Sequence, residues 1–109
     1  MVEVEGEIAE QTVFGLIDPG STHNYITPIL VEMCTLNKSK NIRSWLVQLA
    51  TGTKKEISEV VRKFPLVMDR LITCADLNVL PLGSYDVLVG MDWLEAHRTS
   101  LFVLGYLDT

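Results

Sequence analysis

An all-β fold, a small closed barrel with one or two short helices, is what this sequence predicts, and three observations predict it. The apolar segments are short, and several alternate with a period of two. Turn-forming Gly, Pro and Asn are dispersed along the whole chain. Only two segments, 28–36 and 91–97, read as helical. The chain has 109 residues, 48% of them apolar and 21% charged, which suits a single domain over residues 1–109 with a real core.

The elements follow in order. In residues 1–17, Val2, Val4 and Ile8 fall on one alternating face with glutamates between them. The run Val13-Phe14-Gly15-Leu16-Ile17 comes next, so a half-buried strand feeds a buried one. Asp18-Pro19-Gly20 is a turn: Pro presets φ and Gly accepts a positive φ after it. Thr27-Pro28 reads as an N-cap with Pro at the first helical position, opening a helix to about Leu36. Residues 37–41 are polar and loop-like. A strand follows over 44–50, with Trp45, Val47 and Leu49 on one face. Thr51-Gly52-Thr53 is a hairpin tip, and 54–63 returns as a more polar strand. Strands are expected over 64–68, 71–80 and 85–89. Gly90 ends the last of these, a helix covers 91–97, and a final strand covers 101–107. A weak internal symmetry accompanies this order. An apolar strand runs into a Gly-containing turn at 14–20 and again at 87–90, each time followed by a short helix.

Charge and composition exclude several functions. The net charge is −5 and the pI about 4.9, opposite to the basic face that nucleic acid or anionic lipid requires. No apolar run reaches the length of a membrane span, and the acidic N-terminus lacks the features of a signal peptide. Neither nucleic acid nor membrane is therefore an expected partner, and a cytoplasmic location is. Cys34 and Cys74 read as two reduced, partly buried thiols. With His23 and His97 they show no metal-ligand spacing, so no metal or other cofactor is expected.

Asp18 is the position most open to chemistry. A carboxylate on a tight turn at the end of a buried strand is held rigidly beside apolar surface, where it can be aimed at a substrate. Asp-Pro-Gly is equally an ordinary turn sequence, and the residues alone leave both readings open.

Two long blocks carry a resemblance. Leu16-Ile17-Asp18-Pro19-Gly20-Ser21-Thr22-His23-Asn24-Tyr25-Ile26 resembles the active-site block of the gypsy-type retrotransposon aspartic proteases, a retropepsin family. The segment from Leu80 to Leu94, through Tyr85-Asp86-Val87-Leu88-Val89-Gly90-Met91-Asp92-Trp93, resembles that family's second block, and His97 sits where it often has a histidine. The resemblance spans nearly the whole chain and implies a retropepsin barrel acting as an aspartic endopeptidase. It implies a homodimer in which each chain supplies one aspartate, here Asp18, and the chain holds only one such motif. Two close carboxylates share a proton, so one activates water and the other donates to the peptide carbonyl; this is the standard behaviour of aspartic proteases. The active-site loop is then Pro19, Gly20, Ser21 and Thr22, with the Ser21 hydroxyl expected on the Asp18 carboxylate. Ala50, Thr51, Gly52 and Thr53 form a flap over an extended peptide substrate, and Val89 and Gly90 form the second loop. Asp86, Asp92, Trp93 and His97 are structural. The implied biology is processing of a retroelement Gag-Pol-like polyprotein, inside virus-like particles.

Pro19 departs from the pattern. The family's usual Thr or Ser there bonds across the dimer axis, and Pro has neither hydroxyl nor N–H to do so. At about 1 kcal/mol per lost hydrogen bond, a weak dimer or a monomer is expected. A second reading follows, a weakly active or inactive retropepsin-fold module for dimerisation or interaction. A third is an unrelated small β-barrel binding module.

Overall fold

The structure, a computed structural model, describes residues 2–49, 51–68 and 70–97. Strands β1 (Val2–Ile8) and β2 (Gln11–Ile17) form an antiparallel hairpin in register from Val2 opposite Ile17 to Ile8 opposite Gln11. Its two-residue turn puts Ala9 and Glu10 at φ 49° and 67°. Both central residues of a primed turn need positive φ, which matches the twist of the flanking strands. A short strand β3 (Tyr25–Ile26) and helix α1 (Pro28–Met33) follow. Then come β4 (Ser39–Gln48), β5 (Lys54–Met68), β6 (Leu71–Val79), β7 (Val87–Val89) and α2 (Met91–Ala96).

The seven strands form one sheet in the order β1-β2-β7-β3-β6-β5-β4, and a further pairing joins β1 to β5. That pairing, Gly6 and Glu7 opposite Met68 and Val67, closes the first six strands of the order into a ring. Among the described residues β4 stays outside the ring and pairs only with β5, and the β4–β5 hairpin projects from it. The ring encloses Ile8, Val13, Ile26, Leu77, Val87 and Val89, all almost wholly buried, and Trp93 and Leu94 of α2 pack against the same cluster. Period-two alternation is visible in β1, where Val4, Gly6 and Ile8 are buried and the glutamates between them are exposed.

Several boundaries differ from expectation, each for a local reason. Residues 54–68 are one strand, bent by an extra residue between Val61 and Phe64. Lys63 takes φ 46° there and donates its N–H to Asp76 Oδ1 at 2.7 Å, so the bulge is held by a side chain from β6. Helix α1 stops at Met33, short of Leu36. Thr35 turns left-handed at φ 52°, and the N–H groups of Leu36 and Thr35 reach back to the carbonyls of Val31 and Glu32. This is a Schellman ending without its usual glycine. Thr27 does sit at the N-cap, but its side chain makes no capping bond. The polar stretch expected to be a loop is already strand from Ser39. At 85–89 only Val87–Val89 pair as strand. Cys34 is half-buried and Cys74 exposed, so only the first fits the partly buried thiol expected. The final strand expected over 101–107 lies outside the described residues.

Candidate active site

The two strand–turn–helix repeats lie side by side. Strands β2 and β7 are parallel, with Gly15, Leu16 and Ile17 opposite Val87, Leu88 and Val89. Strand β3 runs antiparallel to β7 on its other side. Asp18 emerges at the end of β2, and its N–H donates to Val89 O at 2.9 Å. The carboxylate therefore starts from a backbone fixed by the second repeat. It is half-buried, behind an exposed Pro19-Gly20 turn. Its Oδ1 accepts the Gly20 N–H at 2.8 Å, and its carbonyl accepts the Ser21 N–H at 3.1 Å.

Two details of this loop depart from the sequence reading. Gly20 has no positive φ. A side chain there would instead crowd the carboxylate, since a Cβ would lie 3.1 Å from Asp18 Oδ1. The Ser21 hydroxyl does not reach Asp18 but donates to His23 O at 2.8 Å, tightening the loop behind the carboxylate. Thr22 is exposed on the same loop.

The second loop is locked under the first. Gly90 is buried, and a Cβ on it would stand 2.4 Å from Ser21 O and 2.6 Å from His23 O. The neighbouring Met91 N–H donates to Ser21 O at 2.7 Å. The fastener is Asn24, which sequence reasoning missed. It is buried, and its Oδ1 accepts the Gly90 N–H at 2.9 Å. Its carbonyl accepts both the backbone N–H and the side-chain amide of Asn78, at 2.9 and 3.1 Å. One residue, through its side chain and its backbone carbonyl, thus ties together the first loop, the second loop and β6. The available signal was an uncharged polar residue directly before the apolar pair Tyr25-Ile26, whose burial demands partners.

Asp86, Trp93 and His97 occupy supporting positions. Asp86 Oδ2 accepts the Phe14 N–H at 2.8 Å, continuing the β2–β7 ladder one step beyond the strand. His97 stacks on Trp93 with ring centroids 4.8 Å apart and faces the Trp93 carbonyl and the Thr73 hydroxyl. A carbonyl only accepts, so Nδ1 carries the proton and Nε2 accepts from Thr73. Asp92 lies exposed in the first turn of α2.

The β4–β5 hairpin forms the roof. Trp45 lies opposite Ile57, and Val47 opposite Lys55. Its inner face packs on Tyr25, Leu80, Leu82 and Leu88, and Trp45 lies against His23 with ring centroids 4.6 Å apart. Burial pushes the Tyr25 hydroxyl above its usual pKa, while hydrogen bonding with Trp45 and Ser21 pulls the other way. The hairpin base is thereby joined to the loop that carries Asp18. At the tip the Leu49 N–H meets Thr53 O at 2.8 Å and the Gly52 N–H meets Leu49 O at 2.9 Å. Gly52 has φ 89° and open space around it, a conformation that favours glycine. Thr51 and Thr53 flank it and are exposed; Ala50 lies outside the described residues.

The arrangement comprises one carboxylate at a strand end, a glycine-packed second loop and a hairpin covering the same end. Among the described residues no helix is long and apolar enough to cross a membrane. No curated protein matches the chain. Among solved structures, the retroviral protease-like domain of Ddi1 from Leishmania major is similar in fold, with a TM-score of 0.64 at 19% identity, over 90% of this chain and 76% of that one. The family described as retroviral aspartyl protease matches residues 6–104, nearly the full length. The chain therefore belongs to the retroviral aspartyl protease family.

Proposed function

We propose that the chain is one half of an aspartic endopeptidase of the gypsy-type retrotransposon kind, with residues 1–109 as a single protease domain. Two copies pair their Asp18 loops, and each supplies one carboxylate. The observation that carries this reading is the setting of Asp18. Its backbone is anchored to Val89 O, its carboxylate is half-buried and held by the Gly20 N–H, and a glycine-tipped hairpin is fastened to the same loop.

In the pair, the ionised carboxylate takes a proton from water, which attacks the scissile carbonyl. The protonated carboxyl donates to the carbonyl oxygen; as the C–N bond breaks, the proton taken from water passes to the leaving amine and a hydroxyl of the tetrahedral diol returns its proton to the other carboxylate. The flap Thr51-Gly52-Thr53, with Ala50, covers an extended peptide and offers it backbone hydrogen bonds. The substrate is a Gag-Pol-like polyprotein in the cytoplasm, within virus-like particles.

The test is cleavage of a mixed peptide library between about pH 4 and 7 at high protein concentration, the range in which a carboxylate pair can hold one proton. Cleavage that disappears in Asp18→Asn supports the reading. A folded native chain that cleaves nothing sinks it. Pro19 favours a second reading, an inactive module of the same fold, because a loop without the cross-dimer hydroxyl holds its partner weakly. Cleavage that depends on Asp18 excludes that module.

A further inference from the structure

The chain is acidic overall, with a net charge of −5, yet its cations are gathered on and just beyond the hairpin that roofs the candidate site. Seven of the nine Lys and Arg residues lie between Lys38 and Lys63, against two glutamates, a local charge of +5. Two ion pairs discharge part of it, Lys38 with Glu59 at 3.3 Å and Arg62 with Asp76 at 4.0 Å, both toward the base of the hairpin. Lys55 is in neither pair.

The register decides which face each charge occupies. Directly opposed residues of an antiparallel pair share a face, and neighbours along a strand alternate. Ile57, wholly buried against Tyr25 and Leu80, marks the inner face. Trp45 lies opposite Ile57 and Val47 opposite Lys55, so Trp45, Val47 and Lys55 share that face with Ile57. Lys54, opposite Gln48, and Glu56, opposite Leu46, point outward. From Trp45 to Ile57, Lys55 is therefore the charged residue of the inner face. It sits in an apolar stripe and is exposed.

A lysine is not needed there for packing, and the ammonium is strongly hydrated. Any extended peptide held under the hairpin would run beside it. We propose that Lys55 sets specificity, selecting peptide substrates that carry Asp or Glu where the inner face of the hairpin covers them. Arg43 and Lys54, in neither ion pair among the described residues, add a field that draws acidic segments toward the site. This inference rests on the peptidase reading for its catalytic consequence, but the binding preference is separable from it.

The test uses one cleaved library peptide remade with Glu, Gln or Lys at each position in turn, assayed at low ionic strength. At the position beneath Lys55, the native chain should show kcat/KM about fivefold higher for Glu than for Lys, the upper range for a solvent-exposed charge pair. The ratio should fall to about one in Lys55→Gln and invert in Lys55→Glu, reading the same charge term. Both variants change an exposed side chain, and circular dichroism checks that they fold. A Glu-to-Lys ratio near one, or one that both variants retain, overturns the proposal. The second arm titrates Glu-rich, Gln-rich and Lys-rich decapeptides into Asp18→Asn carrying Trp93→Phe, so that the fluorescence read is that of Trp45, and needs no turnover. Charge-selective binding controlled by Lys55 supports this proposal whether or not the native chain cleaves; if the native chain cleaves nothing, the peptidase reading alone is sunk. Binding without charge preference, or no binding at all, overturns the proposal.

Discussion

The two loops that meet at the candidate site each contain a glycine, and the two glycines do different work. Gly90 is buried, and a methyl group there would be driven into the backbone carbonyls of Ser21 and His23 at 2.4 and 2.6 Å. Gly20 is exposed, and the atom nearest a methyl group there would be Asp18 Oδ1, at 3.1 Å. The first glycine lets one repeat of the fold pack on the other. The second leaves room for a carboxylate. One strand–turn–helix pattern, used twice, has become a structural wedge in one copy and a chemical site in the other.

The comparison breaks most visibly at Gly90. Gly90→Ala should lose at least about 3 kcal/mol of stability or fail to fold, because two carbonyls on fixed backbone cannot yield as side chains do. Urea or thermal unfolding reads this. Asn24→Ala comes next. It strips a buried acceptor from the Gly90 N–H while leaving the loops sterically compatible, so the loss should be about 1–3 kcal/mol. A smaller loss than for Gly90→Ala, with the fold retained, shows that shape holds the two loops together more than hydrogen bonding does. The reverse order would contradict that.

Much of this was legible in advance, for identifiable reasons. Strands β1, β2 and β6 alternate or run apolar, and the Asp18 turn and the Gly52 tip are built from residues whose backbone preferences are strong. The missed features lack such residues. The β1–β2 turn uses Ala9 and Glu10 at positive φ, where Asn-Gly would have signalled a hairpin. The end of α1 uses Thr35 where Gly would have marked it. Strand β3 is two residues long and is defined entirely by its neighbours β6 and β7. At the site, Asp18 and Gly20 stood out as a turn by local chemistry, and the resemblance picked out Asp18 as catalytic and Gly90 as the second loop, whereas Asn24 acquires its role from partners at positions 78 and 90 that only the fold brings together. The Ser21 hydroxyl was assigned to the wrong acceptor for a related reason: the sequence places it near Asp18, but the turn sends it to His23 O.

Pro19 sharpens the comparison at the level of assembly. It is exposed beside Asp18 and has no group to donate across a dimer axis. Pro19→Thr should tighten self-association. Two restored hydrogen bonds at about 1 kcal/mol each correspond to a dissociation constant about thirtyfold lower. Sedimentation over a concentration series measures it. A native chain that is already a tight dimer at nanomolar concentration would show that the interface draws its strength from elsewhere.

The smallest expected change in stability is at Gly20, and it is the most informative about chemistry. Gly20→Ala places a methyl group at 3.1 Å from Asp18 Oδ1, a contact that a small rotation of the carboxylate relieves. The turn is exposed and the backbone has no positive φ to be strained, so unfolding should shift by no more than about 0.5 kcal/mol. The rotation would nevertheless pull Oδ1 off the Gly20 N–H that holds it at 2.8 Å. Peptide cleavage should therefore fall by about tenfold or more, because a misaimed carboxylate loses its approach to water and carbonyl together. Measured side by side, Gly90→Ala should cost chiefly stability and Gly20→Ala chiefly activity. If Gly20→Ala instead keeps full activity, the position of Asp18 does not depend on its turn, and the division of labour between the two glycines fails.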